Sequence, residues 1–217
     1  MASVPPRSRA RKRNNPDLLY YERLLKDKGC DLIIGVDEAG RGPLAGPVVA
    51  AAVALKCLDF ENRIDDSKKL SSNIRQKAFE EITKKSIFGI SVVSEKIIDR
   101  INILQASRLA MRQAVISLTK KIACLDSLNI HVIVDGNMSL KLNWPCTDIV
   151  KGDGKSKSIA AASILAKVTR DRIMQEYDSI YSEYGFAQHK GYPTESHREI
   201  LNRIGPSAIH RMSFHCA

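Results

Sequence analysis

The chain reads as five apolar runs separated by amphipathic stretches. Leu32-Ile33-Ile34-Gly35-Val36 is the first run and ends directly in acid, Asp37-Glu38. Val48 to Leu55 is the second, rich in Val and Ala, and Ile87 to Val93 is a third that alternates loosely. Asn129 to Asp135 and Thr147 to Val150 complete the set. Short apolar runs bounded by turn residues predict buried strands. The stretches between them carry helical spacing. Asp17 caps a short helix that Gly29 stops, and the Ser71-Ser72-Asn73 cluster opens another that ends near Lys85. Ser94-Glu95 opens a long helix to about Leu125, with Ile97, Ile101, Leu104, Leu109, Val115 and Leu118 as its apolar face. Ser158 to about Tyr181 predicts a further helix, and Thr194 to Ile204 a last one, with Thr194 as cap and Gly205 as stop. Strands come first and then alternate with helices. That order predicts an α/β domain with a mixed five-stranded sheet flanked by helices.

Length and composition fit this picture. The 217 residues are 44% hydrophobic, enough for one domain with a sizeable core. No apolar run approaches the roughly 18 residues that a membrane span needs. Residues 1–16, with Pro5, Pro6 and a run of Arg and Lys, read as a flexible basic arm with no apolar stretch behind it, which argues against a secretory leader. Cys30, Cys57, Cys124, Cys146 and Cys216 form no CxxC pair, and their odd number and wide scatter suit reduced thiols. A cytoplasmic location and a monomer are expected. The formal net charge of +10 favours a polyanionic partner.

Four carboxylates carry the candidate chemistry. Asp37 and Glu38 end the first strand, Asp135 ends the fourth, and Asp153 follows the fifth. Neighbouring strands lie about 5 Å apart, so strand ends can gather such groups. Gathered carboxylates repel, and a cation relieves the repulsion. All-oxygen ligands point to magnesium or manganese. The alternative for each acid is capping or turn work. Gly40-Arg41-Gly42-Pro43-Leu44-Ala45 fits a loose dinucleotide fingerprint, but Pro43 and Pro47 break the helix that motif requires. Gly154-Lys155-Ser156 ends like a P-loop, yet the motif's first glycine would fall on Ile149. Gly40 and Gly42 instead suit either a tight turn or close approach of backbone to a ligand, and Arg41 suits a phosphate.

Taken together, these segments resemble the bacterial type 2 ribonuclease H (RNase HII) family. The resemblance runs from about Leu32 to Phe214. It rests on Gly35 to Val48, Asp66-Ser67-Lys68-Lys69-Leu70, Val134-Asp135-Gly136-Asn137, Lys151-Gly152-Asp153, Ser158 to Asp171, and His189-Lys190-Gly191-Tyr192. It implies a ribonuclease H-like catalytic domain over 17–184 and a small C-terminal helical substrate-binding segment over 185–217. It implies that Asp37, Glu38, Asp135 and Asp153 are the acidic ligands, with Asp171 a rival for the fourth place. Gly40, Arg41 and Gly42 become the substrate-reading motif, and Tyr192 the ribose-reading tyrosine rather than a residue packed in a turn.

The activity implied is endonucleolytic. The RNA strand of an RNA–DNA hybrid is cut, as is the 5′ side of a ribonucleotide embedded in duplex DNA, leaving 5′-phosphate and 3′-hydroxyl ends. Two divalent cations about 4 Å apart would assist. Ser67, Lys68, Lys69 and Ser163 are candidate phosphate contacts, and Lys155, Lys157 and Lys190 are candidates to extend the basic surface. His189 suits phosphate binding or product release as well as a structural turn. His197 and His210 carry no catalytic signal, Trp144 reads as packing, and no protein partner is legible. A related nuclease acting on DNA alone, and a non-catalytic nucleic-acid-binding module, are the competing readings.

Overall fold

A computed structural model describes residues 17–214. The expected arm at 1–16 and the thiol of Cys216 lie outside the described residues. A first helix, α1 (Tyr20–Asp27), leads into strands β1 (Leu32–Ala39) and β2 (Val48–Leu55). Helix α2 (Ser72–Lys85) precedes β3 (Ser86–Val93), and α3 (Glu95–Thr119) precedes β4 (Ile130–Asp135) and β5 (Cys146–Ile149). Helices α4 (Lys157–Ile180), α5 (Phe186–His189) and α6 (Glu195–Ile204) follow. The five strands form one mixed sheet in the order β3-β2-β1-β4-β5. β1 is antiparallel to β2 and β2 to β3, whereas β4 runs parallel to β1 and β5 parallel to β4.

The interior strand β2 shows why helices cover both faces. Ala50, Ala52 and Ala54 pack into a core with Ile98, Ala110, Met111, Ala114 and Leu118 of α3. Ala51 and Val53 pack into another with Ala78 and Ile82 of α2 and Ala161, Ala162 and Leu165 of α4. Alternation along the strand sends neighbours to opposite faces, so a continuous apolar run serves two cores. Small side chains on β2 let both helices approach closely. Gly35 of β1 takes this to its limit. A Cβ there would lie 2.3 Å from the Ser158 carbonyl carbon and 2.4 Å from the Ile159 nitrogen.

The N-terminus of α4 is also anchored from α1. Glu22 is buried, and its Oε1 accepts bonds from Ser158 N at 2.9 Å, Ser158 Oγ at 2.8 Å and Ser156 Oγ at 2.6 Å. A carboxylate at that end suits both the free N–H groups and the helix dipole.

Three sequence expectations need correction. Helix α3 is broken at Asn102, whose φ is 63°, and the Asn102 side chain caps the second segment by accepting from Gln105 N at 3.1 Å. Ile98 rather than Ile97 is buried, whereas Ile101, Leu104, Leu109, Val115 and Leu118 pack on the core as expected, joined by Ala106, Ala110, Met111 and Ala114. The helix ends at Thr119, well short of Leu125. The acids Asp37 and Glu38 also lie within β1 and not beyond it.

Gly35→Ala is expected to destabilise the protein by about 1–3 kcal/mol, because the atoms in the way are helix backbone and cannot rotate aside. Urea unfolding monitored by circular dichroism checks this, and an unchanged midpoint would contradict the close contact.

Candidate active site

The parallel pairing of β1 with β4 brings two carboxylates side by side. Val36 is opposite Val134, so Asp37 and Asp135 occupy the next matched pair of positions. In a parallel ladder, matched positions project to the same face about 4.8 Å apart. Asp153 reaches the site from the short 3-10 turn Gly152–Gly154 that follows β5, a turn tied to β4 by Gly152 N donating to Asp135 Oδ1 at 2.6 Å.

Asp37, Glu38 and Asp135 line a groove of about 220 Å³. Gly40, Arg41, Gly42, Ser67, Lys68, Ser163 and Tyr192 line the same groove. Asp153 borders it, within the field of Asp135 and Lys68. Most of the residues expected to act together are therefore neighbours, though they come from distant parts of the chain.

The electrostatics express crowding. Burial raises the Asp37 carboxyl well above the ordinary range, the charges of Glu38 and Asp135 add to this, and the Glu38 amide and Ser163 hydroxyl only partly oppose it. Glu38 is raised to about 7, first by burial and then by Asp135, against the pull of Arg41. Asp153 is raised by burial, then by Asp135 and Asp66. Lys68 is the counterweight. Burial works against its charge, but the field of Asp153, Asp66, Asp37 and Asp135 raises its pKa above the ordinary value.

These residues fit divalent cations. The available donors are carboxylate oxygens, the set that magnesium and manganese favour. Glu38 Oε2 is buried without a hydrogen-bond partner, and such an orphaned oxygen ordinarily has one. Among the described residues, no three acidic, histidine or cysteine side chains stand close enough together to hold a metal ion by themselves. The acids flank an open groove in which a phosphodiester could complete the set.

The remaining candidates divide by position. Ser67 and Ser163 are buried, share a bond of 2.8 Å, and back Asp37. Arg41 is half-exposed and lies 3.5 Å from Glu38. Lys69 instead turns its ammonium to Asp65 at 3.1 Å and does not line the groove. Lys155, Lys157 and Lys190 donate to the carbonyls of Val150, Leu58 and Ala187. Asp171 pairs with Lys167 at 2.6 Å and Arg75 at 3.5 Å, away from the acid cluster. His189 takes a turn role, bonded to Tyr184 O at 2.7 Å and to Gly191 N at 3.1 Å. Trp144 packs at the edge of the α3 core.

The two motif glycines differ in purpose. Gly40 has φ +102°, and a Cβ there would strike Arg170 Nε at 2.2 Å, so close packing within the protein explains it. Gly42 sits in the groove, with its Cβ direction 3.7 Å from the Tyr192 ring.

Sequence reasoning missed what holds this loop. Arg211 is buried and donates to the carbonyls of Gly40 at 2.6 Å, Arg41 at 3.0 Å and Gly46 at 2.9 Å. Arg170 is also buried and donates to Pro47 at 2.9 Å, Lys190 at 3.0 Å and Ala45 at 3.1 Å, with its guanidinium 5.9 Å from the centre of the Tyr192 ring. Lys167, which also lines the groove, had been given no role.

With this geometry in view, likeness to known proteins is informative. The family model described as Ribonuclease HII matches residues 34–217. The chain belongs to the ribonuclease HII family. Ribonuclease HII of Acholeplasma laidlawii is 50% identical over 199 residues, 91% of this chain and 94% of that protein. Ribonuclease HII of Moorella thermoacetica is 49% identical over 210 residues, 96% of this chain and 98% of that protein. The solved structure of ribonuclease H2 from Pyrococcus horikoshii superposes with a TM-score of 0.64 at 25% identity, covering 84% of this chain and 93% of that one. The fold is that of the ribonucleases H, and the protein is a ribonuclease H, a hydrolase whose family implies cleavage of RNA within RNA–DNA hybrids. No helix of the described residues is long and apolar enough to cross a membrane.

The crowding has a measurable consequence. A carboxyl whose folded pKa is raised favours the folded state below its unfolded value, and that contribution is lost as pH rises through the folded value. For Glu38 this window runs from about 4.5 to about 7. Without divalent cations, Glu38→Gln should therefore be more stable than the parent at pH 8, on the order of 1–3 kcal/mol, and equal to it near pH 4. Chemical unfolding of both proteins in EDTA across this range measures the difference, and a pH-independent difference would contradict it.

Proposed function

We propose that this ribonuclease H cuts the RNA strand of RNA–DNA hybrids and also cuts 5′ of single ribonucleotides embedded in duplex DNA. The products carry 5′-phosphate and 3′-hydroxyl ends, and the role is removal of misplaced ribonucleotides and RNA primers. One observation supports this most directly: three of the four acids and the candidate sugar-reading residues line one groove.

Asp37, Glu38, Asp135 and Asp153 would hold two divalent cations, magnesium or manganese. Such cations, when bound, polarise a phosphodiester and activate water for in-line attack. Asp37, which feels the charges of both Glu38 and Asp135, would be central to holding the cations. Ser163 and the Glu38 amide fix its orientation. Lys68 and Arg41 offer positive charge to the phosphates that flank the scissile one.

Discrimination between RNA and DNA must come from the 2′-hydroxyl. Gly42 leaves open space beside Tyr192, whose side chain is 40% exposed and is backed by Arg170. A ribose can lie against that ring while its hydroxyl meets the loop backbone. The segment after 184 supplies Tyr192 and so serves as a substrate-binding element. We propose further that the protein acts as a monomer in the cytoplasm.

Incubation of the protein with a DNA duplex carrying one ribonucleotide, with and without magnesium or manganese, tests the proposal. Cleavage 5′ of the ribonucleotide only with metal is expected, and equal cleavage of an all-DNA duplex would overturn it. Asp37→Asn should reduce turnover at least a thousandfold while hybrid affinity changes little, and normal turnover would remove Asp37 from the site. Tyr192→Ala should cut cleavage at the embedded ribonucleotide roughly a hundredfold but binding only a few-fold. Equal losses of both would count against the sensing role.

A further inference from the structure

Three histidines lie beneath the Tyr192 segment, and the proposed catalysis uses none of them. His197 and His210 are buried, and His197 stacks on His189 with ring centres 4.2 Å apart and planes 15° apart. His197 Nε2 and His210 Nε2 are 3.0 Å apart, so one of these nitrogens must donate and the other accept.

The outer partners of the pair fix which does which. At one end, Ser207 N is 2.8 Å from His210 Nδ1. A backbone N–H can only donate, so His210 Nδ1 carries no proton and His210 Nε2 does. At the other end, His197 Nδ1 is 2.9 Å from Tyr192 O. A carbonyl can only accept, so His197 Nδ1 carries the proton and its Nε2 accepts from His210. The chain Ser207 N–H, His210, His197, Tyr192 O therefore runs in one direction, with both rings neutral and every nitrogen satisfied. Burial first, and the neighbouring ring second, hold His210 down at about 4, and burial lowers His197, in keeping with neutral rings.

On the other flank, His189 Nδ1 accepts from Gly191 N at 3.1 Å while its Nε2 donates to Tyr184 O at 2.7 Å. Two stacked imidazoles thus grip this segment, His197 at the Tyr192 carbonyl and His189 at the Gly191 N–H.

We propose that His197 is a positioning residue for Tyr192. It holds the Tyr192 carbonyl through an Nδ1–H proton that His210 locks in place, and so ties the 207–211 loop to recognition of the sugar. This rests on the reading of Tyr192 as the ribose-reading side chain.

Two measurements test it. Long-range nitrogen–proton correlation spectra of the wild-type protein at neutral pH report histidine tautomers directly. His197 protonated at Nδ1 and His210 protonated at Nε2 are expected, and His197 protonated at Nε2 would overturn the relay whatever Tyr192 does. The second compares His197→Phe, which keeps an aromatic ring against His189 and Phe186 but cannot donate, with His197→Asn, whose amide can. On the duplex with one ribonucleotide, His197→Phe should lower kcat roughly tenfold with little change in affinity, and His197→Asn should recover most of the loss. In a Tyr192→Ala background the Phe substitution should add almost nothing, because the two act as a unit. Full activity in His197→Phe, no recovery in Asn, or an undiminished loss in the double variant would each overturn the proposal. If Tyr192→Ala alone cleaves normally, the sensing role fails, and the tautomer spectrum still reports separately on the relay.

Discussion

Mutual repulsion among carboxylates is the constraint around which this fold is organised. Four acids share one end of the sheet, and burial and neighbouring charge raise three of them above their ordinary range. Nothing flexible could hold such a set. The frame that does so is rigid for identifiable reasons. β1 is paired on both edges, helices cover both faces, and Gly35 lets α4 rest directly on the strand that carries Asp37 and Glu38. Lys68 and Arg41 supply some opposing charge from the rim. Charge of this kind is concentrated where it can act on a ligand, at a free energy that the packed core must offset.

The second layer of organisation joins the acids to the residues proposed to read a sugar. Arg170, on α4, and Arg211, near the end of the described chain, direct their guanidinium N–H groups at main-chain carbonyls between Gly40 and Pro47, and Arg170 reaches on to Lys190. Leu44 N donates to Gly191 O, and Arg211 N to Leu44 O, so the same loop is stitched to both C-terminal stretches. A planar fork with several donors can satisfy carbonyls that converge in this way, whereas a lysine could not. The loop after β1 is therefore held on one side by the sheet and on the other by the segment bearing Tyr192. A shift of that segment would be felt at Arg41 and Gly42, and so beside the acids.

Much of this was legible along the chain, and what was hidden shares a cause. Strand ends can be read from apolar runs, so Asp37, Glu38, Asp135 and Asp153 could be singled out, and the glycine–arginine–glycine loop drew attention by its composition. The buried roles of Arg170 and Arg211 could not be seen. Arginine is ordinarily a surface residue, and the partners of Arg211 lie 164 to 171 residues away. The histidine relay was missed for the same reason, since a lone histidine in a helix or turn shows nothing of the ring it will face. The break in α3 was missed because Asn102 keeps the local composition of a helix and only its backbone departs from one. Gly40 carries a further demand that composition did not show, since its lack of a side chain makes room for Arg170 within the protein while it lines the groove together with Gly42.

The two buried clusters also explain how one small domain can place opposite electrostatic demands close together. The acid groove keeps charge in spite of burial, and Glu38, at about 7, stands near half-protonation at neutral pH. In the proposed metal site, a proton on Glu38 would compete with a cation for the same oxygens. The histidine pair resolves burial in the contrary manner, by giving up charge and keeping direction. A second proton on His197 would set two N–H groups against each other across the 3.0 Å between Nε2 atoms, and one on His210 would face the Ser207 N–H across 2.8 Å. In the proposed function the groove meets a charged ligand and can remain responsive, whereas the element proposed to read a hydroxyl must remain fixed, because a neutral group offers no long-range field to correct a misplaced partner. Neutral imidazoles bonded to backbone are suited to the second task for the reason that carboxylates are suited to the first.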